Sequence, residues 1–124
     1  MFVYIGPKYG EEKLNIYHNT DILIYPTLND AFPVVLLEAM QFGIPVIASI
    51  EGAIPDIIDD SLNGFLVEKN KPEQITSKLI QLIDNPDLRI DMGKNGKTKF
   101  LNNYTLEIFE RNIQSVFESV FAKL

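Results

Sequence analysis

Short apolar segments alternate with helix-like segments along the first half of this 124-residue chain. The apolar segments predict strands at Phe2 to Ile5, Ile22 to Tyr25, Val46 to Ala48 and Phe65 to Val67. The segments between them predict helices from about Glu11 to His18, from Val34 to Phe42 and from Ile54 to Ile58. Short apolar strands separated by helices are typical of a parallel sheet covered on both faces. The sequence therefore predicts an α/β fold.

The second half of the chain predicts helices only. Pro72 begins one helix, and Asn85-Pro86 ends it and starts the next. Gly93 and Gly96 are expected to loosen the segment that follows. The last helix, from about Thr105, carries apolar residues at helical spacing, which indicate either core or a docking surface. These residues are Phe109, Ile113, Val116, Phe117, Val120 and Phe121.

Composition narrows the class of protein. With 46% hydrophobic residues, the chain has enough apolar material for the core of one domain. The net charge of −6 argues against a broad surface for nucleic acid or anionic lipid. The absence of cysteine excludes disulfides and thiol catalysis. No apolar stretch reaches the roughly 20 residues of a membrane span and no leader is visible, so we expect a cytoplasmic protein, held at a membrane surface only through a partner.

Ligands of an open parallel sheet bind beyond the carboxyl ends of its strands. The loops expected there are Gly6 to Gly10, Pro26 to Phe32 and Ser49 to Ala53. Pro33 suits the first position of a helix, because that position needs no amide donor. The amides from about Phe32 to Val35 would then lie at the positive end of a helix dipole. This position suits a phosphate or a diphosphate.

Two carboxylates flank these amides. Asp30 and Glu38 are eight residues apart, which places them at most ~12 Å apart along the helix direction and within reach of the two ends of a nucleotide sugar. Glu38 is the one charge on an otherwise apolar helix, so it needs a hydrogen-bond partner or a cleft. The alternatives are structural: Glu38 could cap the amides of a neighbouring loop, and Asp30 could cap the helix.

Other polar residues give weaker signals. One histidine and scattered carboxylates provide no spacing typical of metal ligands, so no metal site is predicted. His18 lies at the end of a predicted helix and is expected to cap it or to face solvent. Lys8 and Lys69 could approach a phosphate, although most lysines only face water. Asn63-Gly64 is expected to be a structural turn.

The order of residues from Pro26 to Gly64 forms a recognisable pattern. Its members are Pro26, Thr27, Asp30, Phe32, Glu38, Ala39, Met40, Gly43, Pro45, Val46, Gly52, Pro55, Asp56, Asn63 and Gly64. The pattern resembles the acidic-x7-Glu region of retaining glycosyltransferases with the two-domain GT-B architecture, in particular family four. The resemblance implies a Rossmann-like parallel sheet flanked by helices, the C-terminal part of a GT-B second domain. Residues 1–124 would then form part of a nucleotide-sugar-binding domain, with C-terminal helices at about 72–124.

The resemblance also implies roles for single residues. Asp30 stands where the family's first glutamate contacts the donor sugar, a catalytic position, and its arm is one methylene shorter. Glu38 stands where the second glutamate binds the ribose hydroxyls of the nucleotide. Pro33 replaces a glycine and removes one amide from the anion site. The backbone that would hold the diphosphate belongs to Phe32, Pro33, Val34 and Val35, and the loop that would receive the base begins with Gly6 and Pro7.

The implied reaction is transfer of a sugar, with retention, from a nucleoside diphosphate sugar to an acceptor hydroxyl, as in polysaccharide or glycolipid synthesis. That sugar nucleotide is a substrate, and no separate cofactor is expected. Whether this chain is an enzyme alone is left open, since the family adds a first domain and, in earlier strand-helix units, an Arg and a Lys for the diphosphate. The alternative is a non-catalytic binding or assembly module that keeps only the fold.

The same resemblance makes the first strand unusual. In the strand order 3-2-1-4-5-6, the strand at Phe2 to Ile5 would be the third and that at Ile22 to Tyr25 the fourth, with other strands between them. The chain therefore looks truncated at its N-terminal side. An open, apolar sheet edge is a template for pairing. We expect Phe2 to Ile5 to take a new neighbour, or to associate with the missing parts of the enzyme or with another copy.

Overall fold

The computed structural model describes residues 1, 3–5, 13–26 and 34–122 and has the predicted alternation of strands and helices. The four strands are β1 (Val3–Ile5), β2 (Ile22–Tyr25), β3 (Val46–Ser49) and β4 (Gly64–Val67). The helices are α1 (Lys13–Asn19), α2 (Val34–Gln41), α3 (Ile54–Ile57), α4 (Pro72–Ile83), α5 (Pro86–Asn103) and α6 (Leu106–Phe121). Every predicted element is present, and the boundaries differ by at most two residues.

The strands form one parallel sheet in the order β1-β2-β3-β4. Val3 pairs with Ile22, and Leu23 pairs with Val46. In the order 3-2-1-4-5-6, the third and fourth strands are not neighbours. Strand β1 pairs directly with β2, so the structure has the first of the two expected outcomes, a neighbour within the chain. This pairing supplies the backbone partners that an isolated strand would lack.

Helices cover both faces of the sheet. Successive strand residues point to opposite faces, so Leu23 and Tyr25 pack on one side and Ile22 and Ile24 on the other. The first side is covered mainly by α2 and α3, and the second by α4 and part of α5. All four residues of β2 and all four of β3 are buried. This burial accounts for their continuous apolar sequence and confirms the prediction of a sheet covered on both faces.

Local capping sets the boundaries of the later helices. The Asn85 side chain accepts a hydrogen bond from the Leu88 amide at 3.2 Å, and Pro86 occupies the first turn of α5. At α6, the hydroxyl oxygen of Thr105 accepts from the Ile108 amide at 3.3 Å. These caps satisfy amides that have no acceptor within the helix. The sequence signals for these starts are therefore confirmed.

The expectation that glycines loosen the chain after residue 92 is wrong. Helix α5 runs without a break through Gly93 and Gly96, and both residues are buried. The helix packs through this segment against α2 and the turn after it. Absence of a side chain permits close helix packing, which compensates the low helix propensity of glycine.

The apolar stripe of α6 is not part of the core. Ile113, Val116, Phe117 and Val120 are 40–63% exposed and line an apolar groove of about 400 Å³. The side chains of Phe109 and Phe121 lie outside the described part. For the four described residues, the prediction of a core stripe is wrong. The alternative, a docking surface, stays a prediction.

Candidate functional site

The carboxyl ends of β2, β3 and β4 meet at one edge of the sheet, as parallel strands require. A cavity of about 230 Å³ lies at this edge. Pro26 follows β2, Ser49 ends β3 and Lys69 lies just after β4, and all three line the cavity. Its other lining residues are Val67, Glu68, Asn70, Lys71, Pro72 and Ile75. A ligand here would contact three successive strand ends, which is where α/β sheets bind ligands.

Helix α2, the next element after β2, carries Glu38 one turn after its start. Val34, the first residue of α2, is 55% exposed, and Glu38 lies four residues later on the same face and is half-buried. Side chains on a helix lean toward its N-terminus. The Cα–Cβ bond of Glu38 is therefore tilted toward the start of α2. The opposite face, with Val35, Leu36, Ala39 and Met40, is buried.

The predicted backbone site lies at the start of α2, where the structure describes Val34 and Val35. Val35 is only 8% exposed, so its side chain belongs to the core. A ligand at this end of α2 would meet the main-chain amides of Val34 and Val35, which have no acceptor within the helix. Helix α2 is eight residues long, enough for its dipole to favour an anion at this end. The structure thus keeps an arrangement that can bind an anion.

Five of the predicted site residues lie outside the described residues. They are Asp30, Phe32 and Pro33 before α2, and Gly6 and Pro7 after β1. The structure therefore places Glu38, Val34 and Val35 together on α2. The roles of all eight residues stay predictions.

An ion pair that the sequence did not reveal lies beside the cavity. The Lys69 ammonium pairs with the Oε2 atom of Glu51, whose side chain is 17% exposed. Strand register explains the pair, because Ser49 lies opposite Val67 and two further residues bring position 51 opposite position 69. Lys69, one of two lysines considered for phosphate contact, is thus already paired. Register between neighbouring parallel strands is the signal that could have found Glu51.

Asn63 has the structural role expected for the turn before β4. It is 2% exposed, its Nδ2 donates to the Ile57 carbonyl at 3.1 Å, and its Oδ1 accepts from the Asp59 amide at 2.7 Å. These bonds tie the end of α3 to the start of β4. The turn lies at the amino ends of the strands, away from the cavity.

Other predictions concern solvent, metals and membranes. His18 is exposed, and its ring meets the edge of Phe42 at a centroid distance of 5.0 Å, so the solvent-facing prediction is confirmed. Among residues 1, 3–5, 13–26 and 34–122, no three acidic, His or Cys side chains cluster closely enough to hold a metal ion. None of the helices described is both long and apolar enough to cross a bilayer. The cytoplasmic location expected from the sequence stays a prediction.

Comparison with known sequences identifies a family. Residues 1–99 match the model of the family described as glycosyl transferases group 1. An uncharacterized glycosyltransferase of Methanocaldococcus jannaschii is 32% identical over 94% of this chain. A D-inositol 3-phosphate glycosyltransferase of Corynebacterium kroppenstedtii is 31% identical over 97% of it. The chain spans 33% and 26% of the lengths of these relatives.

Solved structures show the same fold. The C-terminal domain of a glycosyl transferase group 1 family protein, LpcC of Francisella tularensis, is 33% identical, with a TM-score of 0.72 over 82% of this chain and 52% of that one. Anabaena HepE, solved in complex with UDP, has a TM-score of 0.84 at 18% identity, over 89% of this chain and 30% of HepE. The resemblance found in the pattern from Pro26 to Gly64 is therefore confirmed, and the chain belongs to the group 1 glycosyl transferase family, with the α/β fold of GT-B enzymes.

Proposed function

We propose that this chain forms the donor-binding part of a retaining glycosyltransferase. The enzyme would move a sugar from a nucleoside diphosphate sugar to an acceptor hydroxyl, as in polysaccharide or glycolipid synthesis. The observation that carries the proposal is the position of Glu38, half-buried one turn after the start of α2, the helix that follows β2. The solved complexes of HepE with UDP and with UDP-glucose support a donor of this class.

Each end of the donor would meet a different group. The Glu38 carboxylate is an acceptor for the ribose hydroxyls, about 6 Å along the axis from Val34. The amides at the start of α2 would hold the diphosphate and stabilise its charge as the bond to the sugar breaks. Asp30 would contact the sugar, and the loop beginning at Gly6 and Pro7 would receive the base. No cofactor is needed beyond the donor itself.

Activity would require parts that this chain does not contain. The chain spans a third or less of its first relatives, and an acceptor site and further cations for the diphosphate would come from the remaining two thirds. We propose that those parts associate with this chain, covalently or as a partner. The alternative function, a binding or assembly module, is favoured by one observation, the exposed apolar groove of α6.

Calorimetric titration tests the proposal. The chain would be titrated with UDP, GDP and their sugar conjugates, and the titration repeated for Glu38→Ala. Glu110→Ala is a matched control, because Glu110 is exposed on α6 and does not line the cavity. Circular dichroism would check that both variants are folded. We expect saturable binding that Glu38→Ala loses and Glu110→Ala retains.

Two other outcomes are informative. Binding that survives in Glu38→Ala would contradict the ribose contact and leave the anion site at α2 as the remaining explanation. Absence of binding at millimolar nucleotide, together with concentration-dependent association in sedimentation velocity, would support the assembly module. If the chain still associates after substitutions remove the apolar groove of α6, pairing through the sheet edge at β1 is indicated.

A further inference from the structure

We propose that Glu51 and Lys69 form a positioning pair. Their ion pair holds the loop 50–53 against the turn after β4, and the position of this loop sets the affinity of the cavity for the donor. This inference rests on the proposed function, because the donor is the ligand whose affinity it concerns. The pair joins two segments that both border the cavity, since Ser49 and Lys69 line it.

Lys69 lies on the better anchored side of the pair. The amide of Glu68 donates to the Gln74 side chain at 2.8 Å, which ties the turn to α4. Asn70 has a φ of 59°, a left-handed conformation that reverses the chain before α4 begins at Pro72. Lys69 therefore projects from a turn that is fixed at both sides. Its ammonium is therefore a fixed partner that can hold a neighbouring loop in place.

Glu51 lies in the loop 50–53, the segment that the ion pair would hold in place. The last sheet-like bond before it runs from the Ile50 amide to the Val67 carbonyl, at 2.9 Å. After it, Gly52 has a φ of 48° and the chain turns into the four-residue helix α3. Glu51 thus lies between the end of the sheet and a short helix, and its side chain adds a lateral contact to the next strand's turn.

Burial makes the contact a strong constraint on the loop. The Oε2 atom of Glu51 is shielded from solvent, and its charge is balanced by the Lys69 ammonium. If Lys69 were removed, a carboxylate with one shielded oxygen atom would lose its partner, which is more costly than losing a fully exposed ion pair. The carboxylate would regain water only if the loop moved outward. The cavity wall at Ser49 would then move with it.

A rival explanation is that Lys69 contacts the donor phosphate directly. Both explanations predict weaker binding when Lys69 is replaced, so that variant alone does not distinguish them. They differ at Glu51. If Lys69 binds phosphate, removing Glu51 frees the ammonium and binding becomes tighter. If the pair positions the loop, removing Glu51 weakens binding as much as removing Lys69 does.

The test is titration with UDP of the wild type, Glu51→Gln, Lys69→Gln, the double variant and Lys69→Arg. Lys97→Gln is the matched control, since Lys97 carries the same charge but is exposed on α5 and does not line the cavity. We expect each single Gln variant to lose affinity by about 5- to 10-fold, and the double variant to lose no more than either, as for residues that act as one unit. Lys69→Arg keeps the charge and should keep most of the affinity, and Lys97→Gln should bind as the wild type does. Unchanged or tighter binding by Glu51→Gln would overturn the proposal.

Hydrogen exchange provides a readout that needs no ligand. In both Gln variants, amides 50–54 should exchange about 10-fold faster, while amides of β3 keep the wild-type rate. If the wild type does not bind UDP at all, the proposed function fails for this chain, and exchange alone decides on the positioning pair. Unchanged exchange of amides 50–54 in both variants would overturn it.

Discussion

The backbones of Gly43 and Gly93 touch, so that a Cβ atom added at Gly93 would overlap the carbonyl oxygen of Gly43. Gly43 has a φ of 68° and ends α2, with the Ile44 amide donating to the Ala39 carbonyl at 3.0 Å. Gly93 lies in the middle of α5. Two glycines thus fix how closely α5 approaches the end of α2, the helix that carries Glu38.

Gly93→Ala should therefore destabilise the chain. The overlap involves backbone atoms, which cannot rotate away, so we expect a loss of about 1–3 kcal/mol in the free energy of unfolding. Urea denaturation followed by circular dichroism measures it. Gly96→Ala is the control on the same helix, because its Cβ would have its nearest contact at 3.6 Å, with Met40. Alanine has the higher helix propensity, so Gly96→Ala should be neutral or stabilising by up to about 1 kcal/mol. Equal losses in both variants would contradict the close contact.

The same glycines show how far the fold could be predicted. Apolar periodicity and capping residues act locally, which is why the strands, helices and helix starts at Asn85 and Thr105 agree with the structure. The role of Gly93 depends on a contact with a residue 50 positions earlier. Local signals therefore suggested a loose segment where tertiary packing selects a continuous helix. The pairing of β1 with β2 is also tertiary, and the sequence left two outcomes for it.

Residues of the candidate site could be related to one another from the sequence only where they belong to the same motif. Glu38 and the start of α2 are close in sequence, so spacing along a helix was enough to relate them. Glu51 and Lys69 are 18 residues apart, and only the register of β3 with β4 brings them together. Such pairs depend on strand order, which residue spacing alone does not specify.

Asn63→Ala should destabilise the connection between α3 and β4. The change removes a buried side chain that bonds the Ile57 carbonyl and the Asp59 amide. Leaving these groups without partners should cost about 1–3 kcal/mol of unfolding free energy, measured by urea denaturation. Asn102→Ala, at an exposed position of α5, is the control and should change stability by less than about 0.5 kcal/mol. A loss in Asn63→Ala no larger than in the control would show that water replaces both bonds.

Asp30→Ala should separate recognition of the sugar from recognition of the nucleotide. If Asp30 contacts the donor sugar, the variant should bind the sugar conjugate about 10-fold more weakly and bind UDP as the wild type does. Glu38→Ala should weaken both ligands equally, since the ribose is common to them. Isothermal titration with UDP and UDP-glucose gives, for each ligand, the ratio of the variant's affinity to that of the wild type. Equal weakening of both ligands in Asp30→Ala would instead indicate that Asp30 caps the helix start.

Substitutions in the α6 groove should leave stability unchanged but affect association. Val116 and Phe117 are 63% and 58% exposed, so replacing both by Ser removes little buried area. We expect the unfolding free energy to change by less than about 0.5 kcal/mol per site. Met92→Ala is the contrast, because Met92 is 1% exposed and should cost about 2–5 kcal/mol. If the groove is a docking surface, the double variant should also lose any self-association that sedimentation velocity detects for the wild type. A double variant that unfolds as easily as Met92→Ala would mean that the stripe is covered by the chain's own residues.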